Sequence, residues 1–196
     1  MRAAGAPRER ARWRIRPPCP PPHSAPLTHP RARPARRAAS RFAARHAPAD
    51  PQDRQLDFEG FRAYYLSHDA FTCVDDASGE CIGAFYIKPN FPGRCSHICN
   101  AGFLVPRQHR GNGVGRVMAT AFLDLAKELG YRAVFFNLVF TSPALRLYKS
   151  LGFKEIGTVP QAGLLPDGTY QDATQLHYDL TAHRMVEPAA GKGGGA

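Results

Sequence analysis

No apolar run in this chain approaches the ~18 residues that a membrane-spanning helix needs, so no such helix and no membrane partner are expected. Cysteine is sparse and odd in number: Cys19, Cys73, Cys81, Cys95 and Cys99. None is spaced C-x-x-C, and no second ligand pair accompanies Cys95, His97 and Cys99, so no metal is expected. Read as an alternating strand, those three share one face, as buried or site-lining groups in a reducing compartment. Acidic residues are nearly missing from residues 1–50, which carry twelve Arg against only Glu9 and Asp50. The formal charge of +10 is therefore concentrated there, and residues 51–196 hold 14 basic and 14 acidic side chains. A neutral folded part offers nucleic acid no electrostatic hold, and no nucleic-acid partner is expected.

Residues 1–50 also lack any helix or strand pattern able to build a core. Pro17, Pro18, Pro20, Pro21, Pro22, Pro26, Pro30 and Pro34 interrupt any helix. Three readings of this Arg/Pro/Ala-rich segment stand side by side. It resembles a transit peptide, which would place the protein in a mitochondrion or plastid rather than the cytoplasm. It fits a disordered basic tail for acidic partners. It also fits a misassigned gene start. Residues 183–196 close in a Gly-rich run, Lys192–Ala196, and are expected to be disordered. One domain, residues 51–182, remains, long enough for a core.

Within it, apolar spacing predicts a helix over Arg54–Ser67. Phe71–Asp75 and Cys81–Lys88 read as a hairpin around the turn residues Asp76–Glu80. A Pro-containing loop, Lys88–Arg94, leads to a strand over Ser96–Val105. Val114, Val117, Met118, Ala121, Phe122, Leu125, Ala126 and Leu129 recur at helical spacing, and Gly130 ends that helix. Arg132–Val139 is a strand. Ser142 is the expected N-cap, and Pro143 the first residue, of a helix running to Leu151. Phe153–Val159 and Tyr170–Leu180 are strands joined through the turn Leu165–Gly168. A strand–helix–strand crossover in this order implies a mixed α/β sheet.

The stretch Arg110, Gly111, Asn112, Gly113, Val114, Gly115 carries the most information. It follows a strand and opens a helix, where unpartnered N–H groups and the helix dipole favour an anion such as pyrophosphate. It lacks the Lys-Ser/Thr of a P-loop and the glycine order of a Rossmann turn.

These residues resemble the Arg/Gln-x-x-Gly-x-Gly/Ala signature of the GCN5-related N-acetyltransferase (GNAT) superfamily. A second run, Ala144-Leu145-Arg146-Leu147-Tyr148-Lys149-Ser150-Leu151-Gly152-Phe153, is similar to the family's Ala-x-x-Leu-Tyr-x-x-Leu-Gly-Phe pattern. Phe85–Asn90, Arg94–His97, Cys99–Phe103 and Phe136–Phe140 resemble a narrower fungal and bacterial branch acting on azetidine-2-carboxylate and other proline analogues. The resemblance implies a mostly antiparallel twisted sheet with flanking helices. Trp13–Pro17 faintly resembles the family's first strand, yet prolines occupy the place of the helix that should follow. The first strand and helix are thus expected to be missing or unrecognisable.

By the same resemblance acetyl-CoA is the co-substrate, and Phe103, Leu104 and Val105 bind its thioester oxygen through N–H groups. Arg110 to Gly115, with Arg116, Ser142 and Ala144, complete the cofactor contacts. Tyr148 protonates the departing thiolate, or else is an aromatic packed on the sheet. Asn100 and Asn137, two amides in otherwise apolar strands, are acceptor-site candidates with a catalytic role, or else tie the sheet to loops. Lys88 and Arg94 are cationic candidates for an acceptor carboxylate unless solvated. His97 is a base acting through water unless simply hydrogen-bonded. Phe140–Pro143 is about two residues shorter than in the branch and lacks its Asn, and Tyr148 stands where Trp is common. The leading expectation is acetyl transfer to a small amine or amino acid. The alternatives are acetylation of a peptide terminus and a non-catalytic acyl-CoA-binding domain. A sheet edge left bare by a missing strand would favour a homodimer.

Overall fold

The structure is a computed structural model that describes residues 13–16, 57–140 and 143–185. Seven strands form one sheet: β1 (Trp13–Arg16), β2 (Asp69–Asp75), β3 (Cys81–Pro89), β4 (Ile98–Leu104), β5 (Ala133–Phe140), β6 (Lys154–Leu164) and β7 (Tyr170–Asp179). Among the described residues three helices flank it: α1 (Phe58–Tyr65), α2 (Val114–Glu128) and α3 (Pro143–Ser150). The strand order is β1-β2-β3-β4-β5-β7-β6. Every neighbouring pair is antiparallel except β4 and β5. Parallel neighbours need a long crossover, and α2 supplies it.

The first strand is present, at the residues whose likeness to it was faint, so of the two expectations it was unrecognisable rather than missing. Trp13–Arg16 pairs with β2 from Trp13 opposite Asp75 to Arg16 opposite Thr72, and Ile15 packs partly buried against the main core. Four residues are too few for a period to show above the Arg and Pro around them. β1 occupies the edge whose exposure argued for a dimer, so the outer strands among the described residues are β1 and β6. The family's next helix would fall in residues 17–56, outside the described residues, as does most of the segment with three readings.

Each helix forms where the apolar spacing puts it, with sharper ends. Asp57 caps α1 by accepting from the Gly60 N–H at 2.7 Å. Phe61 and Tyr65 then pack against Tyr86 on one face of the sheet. α2 lies on the opposite face and buries Val114, Met118, Ala119, Phe122, Leu123 and Ala126. That face holds the larger core, with Phe71, Phe85, Ile87, Val134, Phe136, Phe153 and Leu176.

Three other expectations shift. The chain makes a short 3-10 turn at Gly93–Cys95, and β4 begins only at Ile98. Cys95 and His97 are therefore exposed while Cys99 is fully buried, and the three do not share a face. The turn closes through the Asn90 N–H donating to the Ile98 carbonyl at 2.8 Å. β6 runs past Pro160 to Leu164, because an irregularity between Val159 and Gly163 absorbs the break in pairing. His183, assigned to the disordered tail, is anchored. Its ring meets Tyr178 Oη at 2.9 Å and Asp124 Oδ1 at 2.8 Å, and Lys127 Nζ donates to its carbonyl.

Candidate active site

β4 and β5 touch only at their starts, Ile98 opposite Ala133 and Cys99 opposite Val134. From Asn100 onward the two strands part. The Ala101 N–H, with no β5 carbonyl to meet, is taken by the Asn100 side-chain oxygen at 2.8 Å. Strand N–H groups alternate in direction, so Phe103 and Val105 direct theirs to the same side, into the opening. These are the groups expected to hold a thioester oxygen, and Leu104, between them, directs its N–H toward β3.

At the far end of the opening stands the Gly-rich turn. Gly111 and Gly113 have φ of 78° and 85°, a backbone region closed to most side chains. A Cβ added at either would meet nothing within 4 Å, so the space above them is open to a ligand. Among the described residues, no backbone carbonyl takes the N–H groups of Gly111, Asn112, Gly113, Val114 or Gly115. Five N–H groups beside the α2 N-terminus are thus left to take an anion, which would make the turn an anion cradle. Arg110 braces the turn, its Nε donating to the Val105 carbonyl at 3.1 Å. Arg116 ties α2 to α3 by donating to Ser150 Oγ at 2.9 Å. Ala144 lies in the first turn of α3, and Ser142 is outside the described residues.

Tyr148 projects from α3 into an aromatic group beneath the opening. Its ring centroid lies 4.8 Å from Phe136, 5.5 Å from Phe153 and 6.1 Å from Phe103. Burial pushes its phenol well above the ordinary tyrosine value, so the hydroxyl is a neutral proton donor. Of the packing and donor roles set against each other in the sequence, the ring contacts show the packing, and the hydroxyl keeps its proton.

On the α1 face, Asn100 and Asn137 converge, and the residue joining them is Asn90, which the sequence reading did not single out. Asn90 Nδ2 donates to Asn137 Oδ1 at 2.7 Å. Asn90 Oδ1 accepts from Asn137 Nδ2 at 3.0 Å and from Asn100 Nδ2 at 3.2 Å. Phe91 stacks on Phe135 at 5.9 Å beside this cluster. Lys88 stands opposite Asn100 in the β3–β4 register, so both side chains leave the same face. Its ammonium lies 4.2 Å above the Tyr64 ring and 4.8 Å from that of Tyr86. Tyr86 in turn lies across Gly102, where a Cβ would stand 2.5 Å from its ring.

The remaining candidates are not gathered here. Arg94 is exposed in the 3-10 turn. His97 is exposed, and its Nδ1 meets the Arg94 carbonyl at 3.2 Å rather than the amide cluster. Burial pushes the Cys99 thiol up to about 12 and, with Cys81 nearby, Cys73 up to about 11, so neither is a nucleophile at neutral pH.

A mixed sheet that opens between two parallel strands, with a Gly-rich turn and a helix N-terminus at one end of the opening, is the architecture of the GNAT fold. The acetyltransferase (GNAT) family profile matches residues 36–153, and the chain belongs to that family. The chain is 48% identical over 99 residues to the N-acetyltransferase aca1 of Schizosaccharomyces pombe, a match covering 50% of this chain and 47% of that protein. It thus spans about half the length of that relative. It is 26% identical over 144 residues to the L-methionine sulfoximine/L-methionine sulfone acetyltransferase of Salmonella typhimurium, covering 70% of this chain and 83% of the relative. Among solved structures, yncA from Salmonella typhimurium with its cofactor acetyl-CoA superposes with a TM-score of 0.69 at 20% identity, covering 92% of this chain and 99% of that one.

Proposed function

We propose that this acetyltransferase moves the acetyl group of acetyl-CoA onto the amine of a small molecule, an amino acid or proline analogue. One observation carries the reading: the opening between β4 and β5 has the anion cradle at one end and the three-amide cluster on its α1 face. Pyrophosphate would lie on the N–H groups of Gly111 to Gly115. The thioester would then reach the opening, where the N–H groups of Phe103 and Val105 face its carbonyl oxygen and stabilise the negative charge that develops there. The neutral amine enters from the α1 face and attacks the carbonyl carbon. Its surplus proton leaves through water, while the amides of Asn100 and Asn137 orient the carboxylate of the acceptor. As the carbon–sulfur bond breaks, Tyr148 gives its proton to the thiolate and regains one from solvent. A relative named for methionine sulfoximine and methionine sulfone supports an amino-acid acceptor.

The test is calorimetry of the full chain with acetyl-CoA, followed in the same sample by thiol release with azetidine-2-carboxylate, methionine sulfone and a peptide bearing a free N-terminus. Saturable binding with thiol release from the amino acids is expected. Release with the peptide alone would replace the proposal by peptide acetylation, and binding without release would favour an acyl-CoA-binding domain.

A further inference from the structure

The amide orientations of the three asparagines are not independent. The Ala101 N–H can only donate, so the Asn100 oxygen must face it. That turns Asn100 Nδ2 toward Asn90, which must answer with its oxygen. With Asn90 Oδ1 so placed, its Nδ2 faces Asn137 Oδ1, and its Oδ1 takes the returning bond from Asn137 Nδ2. One backbone N–H thereby sets all three amides. Each amide carries two N–H donors and spends one inside the cluster. What each has left over on nitrogen is a donor, and three donors on the sheet face that also carries Lys88 suit a carboxylate.

We propose that Asn90 is the positioning residue of the acceptor site. It locks Asn100 and Asn137 in the orientation that presents N–H groups to an acceptor carboxylate. This rests on the acetyl-transfer reading above and specifies how its acceptor is read. Asn90 acts through its neighbours rather than on the reacting atoms. Without it the Asn137 amide is free to turn its oxygen toward the carboxylate, exchanging an attraction for a repulsion.

The experiment compares the full-length wild type, Asn90→Ala and Asn90→Asp on a matched pair of amines, azetidine-2-carboxylate and azetidine. Asn90→Ala is expected to raise KM for azetidine-2-carboxylate by about tenfold or more. The rate with azetidine and the acetyl-CoA Kd should stay within about twofold of the wild type, because the variant loses no contact to either, while the thermal midpoint falls by about a few degrees with the three lost side-chain hydrogen bonds. Asn90→Asp keeps an oxygen to accept from Asn100 and Asn137 but cannot donate to Asn137 and adds a negative charge, so its loss should be larger and equally confined to the carboxylate-bearing amine. Equal losses on both amines, or none, would overturn the proposal. The lock is also read without turnover, from the side-chain amide resonances of Asn100 and Asn137 in a 1H–15N spectrum. Asn90→Ala should move both to free-amide positions with fast solvent exchange, and an unchanged spectrum overturns the lock whether or not either amine is acetylated. Absence of thiol release by the wild type with both amines counts separately, against the acetyl-transfer reading.

Discussion

Tyr148 keeps its proton because three aromatic rings pack on it and that burial disfavours the charged form. Its folded value is raised, so the neutral phenol persists as pH climbs past the ordinary 10.0, and the stability it contributes is lost only above that point. Tyr148→Phe keeps the packing and removes only the donor. The expected result is a kcat lower by about a hundredfold with the acetyl-CoA Kd nearly unchanged, measured by steady-state thiol release and calorimetry. An unchanged kcat would leave Tyr148 a packing residue. The wild-type pH profile should show no loss of rate attributable to this phenol below pH 10.0. Tyr148 was legible because it sits inside a ten-residue pattern. Asn90 was not, because it ends β3 at the edge of a loop, where neither period nor motif marks it. Scarcity was the available signal: the chain has only four asparagines, Asn90, Asn100, Asn112 and Asn137. Three form the amide cluster and the fourth lies in the anion cradle.

At the scale of elements, the Gly-rich turn and α2 act as one unit. Gly113 needs its left-handed backbone, and Gly113→Val should cost about 1–2 kcal/mol of stability from that strain. It should also weaken acetyl-CoA binding at least about tenfold, since the added side chain fills the open space above the turn. Gly79, at the β2–β3 hairpin, has φ of 70° and equally open surroundings. Gly79→Val is thus the control, expected to lose similar stability with no change in calorimetric Kd. Matching affinities in the two variants would remove the cradle from the site. α2 was legible because its apolar repeat covers four turns. The span from Arg94 to Ile98 was not: Cys95, His97 and Cys99 have the two-residue spacing of a strand, but the preceding Pro92-Gly93 bends the chain into a 3-10 turn first. Spacing alone does not register such a bend. Nothing in Asn100 to Val105 marks the parting of β4 from β5, since the run has the composition of an ordinary paired strand.

For the whole molecule, the informative addition is β1. Ile15 is the described side chain of that strand, half-buried against the main core. Ile15→Ala should lower unfolding free energy by about 1–2 kcal/mol, read as a shift in the urea midpoint at constant m. No shift would mean that residues 13–16 stand apart from the sheet. The aromatic core, the helix order and the crossover were readable from periodicity, because long elements repeat their pattern many times. A four-residue strand separated from its partner by more than fifty residues offers no repeat to read. The sheet itself is a pair of leaves, β1 to β4 and β5 with β7 and β6, stitched together by two residue pairs. A ligand spanning the parted strands would serve as an extra stitch. Heat and proteases would then find the seam closed whenever the co-substrate is in place.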